Sequence, residues 1–141
     1  MGGDEPARFF VDENDLALGR SLALARRDVV HPSHPRLPQV PLGMPDPEWL
    51  PVVGSLGLVV ITRDKKIRSR PVEAEQVVAA GIRGFVLTSA GDLSTWDTLT
   101  LLVRQWEAME RYLAEHATGP WLAALTNQGI RPLNIRGADS S

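Results

Sequence analysis

"GLVVIT", residues 57–62, is the stretch whose reading decides the fold. Leu58, Val59, Val60 and Ile61 follow one another without a polar residue, and three of the four are β-branched. A strand with one wet face alternates apolar and polar residues. An unbroken β-branched run reads instead as a strand covered on both faces, as in a parallel sheet between helices. Working outward, "GFVLT" (84–88) is a second run of this kind. Between the two, Pro71 to Ala80 reads as a helix, with Pro in its first turn and Gly81 at its end.

Upstream, residues 8–11 read as a strand and Leu16 to Arg27 as a helix with Leu18, Leu22 and Ala25 on one face. "DVVH" (28–31) is a short strand. The segment "HPSHPRLPQVPLGMPDPEWLP" (31–51) carries seven of the eleven prolines, so most of it is loop. A short helix is expected from about 47 to 56, with Pro51 kinking it or delaying its start. Downstream, "STWD" (94–97) reads as a capping box, with Asp97 answering Ser94 at the start of the longest helix. That helix carries Leu99, Leu102, Val103, Trp106 and Leu113 as its apolar stripe. "IRPLNI" (130–135) is a weaker strand, expected at an edge because of Pro132. Strand–helix alternation implies an α/β fold with a mostly parallel central sheet of about five strands flanked by helices. We expect one domain over 1–141, with an ordered core at 8–135 and tails at 1–7 and 136–141, the second frayed.

At 141 residues, with 43% hydrophobic and 23% charged residues, the chain has enough material for a real core. No apolar run approaches the roughly 20 residues that span a bilayer. The first eight residues contain acids and no apolar stretch, unlike a secretion signal. There are no cysteines, hence no disulfides and no thiolate metal site. A cytoplasmic protein without membrane contact is the simplest expectation. The net charge of −2 gives no global attraction to nucleic acid, so such binding must rest on a local patch.

"RFFVDEND" (8–15) raises the chemical question. Three bulky apolar residues run into Asp12, Glu13, Asn14 and Asp15, acids that repel one another at the end of a buried strand. In open α/β sheets ligands sit at the carboxyl ends of parallel strands. There "LVVIT" is followed by Arg63 and Asp64, and "FVLT" by Ser89 and, further on, Asp92. Carboxylates delivered to one edge suit a hard cation such as Mg²⁺ or Mn²⁺. Helix capping is the competing role for Asp12, Asn14 and Asp46, the last heading "DPEW". His31, His34 and His116 are not placed as a catalytic base. Trp49 and Trp96 suit base stacking, but core packing is the expectation for both. Around Asp64, "RDKKIRSR" (63–70) holds five Arg or Lys in eight residues, either a solvated face or a phosphate-binding patch.

With these residues quoted, a resemblance appears. "DPEWLPVVGSLGLVVITRDKK" (46–66) resembles the stretch in PIN and PIN-like nucleases where an Asp opens a helix and the next strand ends in Thr-Arg followed by Asn or Asp. "FFVDEN" is similar to their first strand, which carries the first metal-binding Asp. Within the PIN-like group, the compact length and "TRDKKIRSRP" most resemble VapC-type toxins of toxin–antitoxin pairs. The resemblance covers most of residues 8–135, and only these two segments are diagnostic. It implies a PIN-like three-layer fold and an endoribonuclease using Mg²⁺ or Mn²⁺. Asp12, Asp46 and Asp64 are then the metal-binding and catalytic acids, converging at the sheet edge. Thr62 supports Asp64 through its hydroxyl and is grouped with Arg63, Lys65, Lys66 and Arg68 toward the substrate. The implied partners are RNA and a cognate antitoxin, with a homodimer open. One departure is plain: PIN toxins carry a further Glu on a helix before the second Asp, whereas no acid lies between Asp28 and Asp46. Glu13, Asp15, Glu48 or Asp97 compensates in this reading. Two alternatives stand: a PIN-like binding module without catalysis, and a phospho-accepting receiver-like domain with Arg131-Pro132 in place of Lys-Pro.

Overall fold

A computed structural model of the chain describes residues 5–88 and 93–138. Ser89 and Asp92 lie outside the described residues. In chain order the elements are β1 (Phe9–Val11), a 3-10 turn (Glu13–Asp15), α1 (Leu16–Ala25), β2 (Val29–Val30), α2 (Asp46–Ser55), β3 (Val59–Thr62), α3 (Pro71–Ala79), β4 (Arg83–Leu87), α4 (Thr95–Glu115), β5 (Trp121–Thr126) and β6 (Gly129–Leu133). They build a six-stranded sheet in the order β2-β1-β3-β4-β5-β6. All pairings are parallel except β5–β6, which is antiparallel.

The continuous apolar runs do as expected, because helices cover both faces. Phe9 and Val11 point to one side, with Leu18 and Leu22 of α1 and Leu101, Leu102 and Met109 of α4. Phe10 and Val60 point to the other, with Trp49, Leu50 and Val53 of α2 and Ala74 and Val77 of α3. The second face also takes Leu37 and Val40 from the proline-rich segment, each 1% exposed or less. That segment is thus a loop with its own core anchors. At Gly54 a Cβ would sit 2.6 Å from the Ala80 carbonyl oxygen, so glycine sets the close approach of α2 and α3. Gly81, at φ +63°, ends α3 in the left-handed conformation.

Several expectations are corrected. The sheet has six strands: β5, "WLAALT", was not foreseen. Its Leu and Ala residues favour helices, yet Ala123 and Ala124 are fully buried between β4 and β6. In α4 the buried positions are Thr98, Leu101, Leu102, Met109 and Leu113, while Val103 is 72% exposed. In α1, Ala25 is exposed, and Gly19 lies against His31 and Val11. Pro51 lies inside α2, which runs from Asp46 without a delayed start. Residues 136–138 are tied down: the Arg136 N–H donates to the Arg68 carbonyl at 2.8 Å and that of Ala138 to Ile135 at 3.0 Å. Among the described residues no helix is long and apolar enough to cross a membrane.

Candidate active site

Strands β1 and β3 lie side by side, so their carboxyl ends open onto one place. There a cleft of about 350 Å³ is lined by Asp12, Glu13, Asn14, Gly43, Met44, Asp46, Trp49 and Asp64. Asp12, Asp46 and Asp64 therefore face one cavity, brought there by the end of β1, the first turn of α2 and the end of β3.

Each of the three acids has at least one oxygen fixed by a neighbouring donor, and Asp12 has both. Asp12 is 3% exposed. Its Oδ2 accepts from Thr62 Oγ1 at 2.6 Å and its Oδ1 from the Asn14 N–H at 3.2 Å. Asp46 is the first residue of α2, not its cap: Pro45 caps, without a side-chain bond. Asp46 Oδ1 accepts instead from Trp49 Nε1 at 2.9 Å. Asp64 Oδ1 accepts from the Lys66 N–H at 3.0 Å. The remaining oxygens of the last two meet a cation. Arg70 lies 3.7 Å from Asp46 Oδ2 and makes a close ion pair with Asp64 Oδ2. Its Nε donates to Glu73 at 2.6 Å.

Burial costs a carboxylate its hydration, and like charges add to the cost. Asp12 is accordingly pushed up to about 7, by burial first and then by Asp46 and Asp64, against the Thr62 hydrogen bond. Burial also raises Asp46, with Asp64 and Glu73 adding to it and Trp49 and Arg70 opposing. The Asp64 hydrogen bond keeps the Arg70 guanidinium more firmly protonated than usual.

Other expected site residues are placed differently. Thr62 is 1% exposed and its hydroxyl is spent between Asp12 and the Asp64 N–H, which donates to it at 3.0 Å. It is a support beneath the site and not a substrate contact. Asp15 caps α1, accepting from the Leu18 N–H at 3.4 Å, and pairs with Arg63 at 3.3 Å. Glu13 holds the proline loop by accepting from the Gly43 N–H at 2.6 Å. Asp97 lies on the exposed first turn of α4, where its N–H donates to Ser94 Oγ at 3.1 Å. It does not line the cleft, and neither does Glu48.

The basic run is not one patch. Arg63 is paired with Asp15, Arg68 donates to the Asn134 carbonyl at 3.1 Å, and Arg70 is held among the acids. These arginines serve the fold or the site. Lys65 and Lys66 are exposed, with no ion pair among the described residues. Trp49 packs on Phe10 with ring centroids 4.8 Å apart, as expected for a core residue, whereas Trp96 is 74% exposed. Glu73 is the site residue that sequence reasoning missed, and Arg70, read there as part of the basic run, stands among the acids. Their spacing of three across a Pro-initiated helix was a legible local pair, but nothing local says that this helix start meets Asp64.

Hard carboxylate oxygens suit a divalent cation, and the donor chemistry of Asp12, Asp46 and Asp64 fits such an ion. Among the described residues no group of three or more His, Asp or Glu stands in metal-holding geometry, and the Arg70 guanidinium lies against the second oxygens of Asp46 and Asp64.

A mostly parallel α/β sheet with clustered acids at the carboxyl ends of adjacent strands defines the class: an α/β fold with an acidic cleft at its strand ends. Comparison with family models supplies the family. The PIN like domain model matches residues 7–89, more than half of the 141-residue chain, so the chain belongs to the PIN-like domain family. This removes the receiver-like alternative. PIN-like domains are generally nucleases and generally use divalent metals. No curated protein and no solved structure matches the chain significantly.

Proposed function

We propose that this protein is a metal-dependent endoribonuclease that hydrolyses RNA phosphodiester bonds at the cleft of Asp12, Asp46 and Asp64. The observation that carries this reading is the convergence of those three acids on one cleft, in a chain of the PIN-like family. Mg²⁺ or Mn²⁺, when bound, neutralises phosphate charge and activates water. The chain's own part is to hold the donors. Thr62 and the Asn14 N–H orient Asp12, Trp49 orients Asp46, and the Lys66 N–H orients Asp64. Lys65 and Lys66, exposed and next to Asp64, give the substrate backbone a local cationic surface. Exposed Trp96 offers a face to an unstacked base.

The finer reading is the toxin of a toxin–antitoxin pair, acting in the cytoplasm as a single-domain protein. Its support is the compact length and the likeness of "TRDKKIRSRP" (62–71) to VapC-type toxins. A PIN-like binding module without catalysis is the second reading, favoured by Arg70, whose charge already offsets part of that on Asp46 and Asp64.

Purified protein is incubated with a fluorogenic single-stranded RNA in Mn²⁺, in Mg²⁺ and in chelator. Cleavage that needs the metal and is lost in Asp12→Asn and Asp64→Asn is the expected result. Metal-independent cleavage, or full activity in both variants, sinks the site. RNA binding without cleavage in either metal selects the binding module. For the toxin reading, induced expression should arrest growth, and Asp64→Asn should relieve the arrest.

A further inference from the structure

Asp46 and Asp64 each use one oxygen on a fixed donor and the other on the same guanidinium. The oxygens that a metal would claim are therefore the ones that Arg70 already holds. Arg70 is the residue before Pro71 and caps α3, so its backbone is anchored at the helix start. Its side chain is 38% exposed, which leaves it a path outward to solvent. Glu73, one turn along, grips Nε. The guanidinium thus has an anchor that does not depend on Asp46 or Asp64.

We propose that Arg70 is a tethered guard of the metal site. A divalent cation binds by displacing the guanidinium from Asp64 and Asp46, and Glu73 retains the freed side chain. This rests on the reading of the cleft as a metal site. The acids keep their aim when Arg70 leaves, because Trp49 and the Lys66 N–H still hold their other oxygens. With Arg70 in place, mutual repulsion of the cleft acids is relieved without metal. The site is thereby biased against weakly binding cations.

The test is calorimetric titration of Mn²⁺ into the full chain, as wild type, Arg70→Ala, Arg70→Lys, Glu73→Gln and Asp64→Asn, with folding checked by circular dichroism. Arg70→Ala should bind Mn²⁺ roughly tenfold tighter, the scale of one charge-assisted pair no longer broken on binding. Arg70→Lys, which lacks the planar fork that spans Asp64 and Glu73, should lie between. Glu73→Gln removes the acceptor that retains the displaced guanidinium and should bind Mn²⁺ more weakly than wild type, while Arg70→Lys carries the test if Arg70→Ala does not fold. Equal or weaker affinity in whichever of Arg70→Ala and Arg70→Lys folds, with wild-type binding abolished by Asp64→Asn, overturns the guard and leaves the metal site standing. No Mn²⁺ binding in wild type or in Arg70→Ala overturns the metal site and the guard together.

Discussion

Thr62 Oγ1 donates to Asp12 Oδ2 at 2.6 Å across the β1–β3 pair, and both side chains are buried. The same hydroxyl accepts from the Asp64 N–H, so one side chain joins two site acids. Thr62→Val puts a methyl group where the hydroxyl was and leaves Asp12 Oδ2 and the Asp64 N–H without their partner. It should cost about 1–3 kcal/mol at pH 8, where Asp12 is ionised and needs the donor most. Thr62→Ser should recover most of that. Chemical denaturation of the three proteins checks it, and equal stability of the Val variant and wild type would remove the hydroxyl from the network.

Asp12 makes stability depend on pH in an unusual direction. Its folded value of about 7 lies above the ordinary carboxyl range, so the folded state binds this proton more tightly than the unfolded chain does. The favourable contribution is complete below about pH 4 and is lost as pH rises toward and through 7. Asp12→Asn should lack that decline. At pH 8 it should exceed wild type in stability by on the order of 2–4 kcal/mol, shrinking toward zero near pH 4. Urea melts of both proteins from pH 4 to 8 give the difference curve. A flat curve would show that Asp12 titrates normally.

Asp28 acts in the opposite sense. Burial raises it, but the hydrogen bonds and charges of Arg26 and Arg8 outweigh that and hold it below its ordinary value. Its side chain is fully buried, 2.9 Å from Arg26 and 3.2 Å from Arg8, and Arg8 reaches on to Glu110 of α4 at 2.5 Å. This contribution is present above the unfolded pKa and is lost as pH falls through the lower folded value. Asp28→Ala should destabilise by about 1–3 kcal/mol at pH 7, since it takes the shared acceptor from Arg26 and Arg8, whose half-exposed guanidinium groups can turn to water. Mn²⁺ affinity of the folded fraction should not change. A change in Mn²⁺ affinity would tie this network to the cleft.

Lys65 and Lys66 are separable from the arginines around them. Lys65→Ala with Lys66→Ala should weaken binding of a short single-stranded RNA in Ca²⁺. It should also flatten the salt dependence by roughly 0.7 per lost phosphate contact. Stability should move by no more than about 1 kcal/mol, because the lost charges are exposed. Arg63→Ala should instead lower stability, having lost its pairing with Asp15 at the start of α1. Unchanged RNA affinity and slope in the double-lysine variant would remove these residues from substrate binding.

What the sequence by itself determined is whatever depends on neighbours along the chain. The β-branched run ending at Thr62, the Pro71 start and Gly81 end of α3, and the Ser94 cap of α4 all follow from local backbone preferences and capping. Together they imply a covered parallel sheet, and with it the acids at strand ends. Tertiary structure alone decided the rest. "WLAALT" became a central strand because β4 and β6 bury its small residues, against their own preference. Trp96 and Val103 stayed exposed because α4 turns its Leu101–Met109 face to the sheet. Arg70 left the basic run for the acids because α3 begins opposite the end of β3. Whether a charged side chain meets water or a partner is set by distances across the fold, and these are invisible in the order of residues.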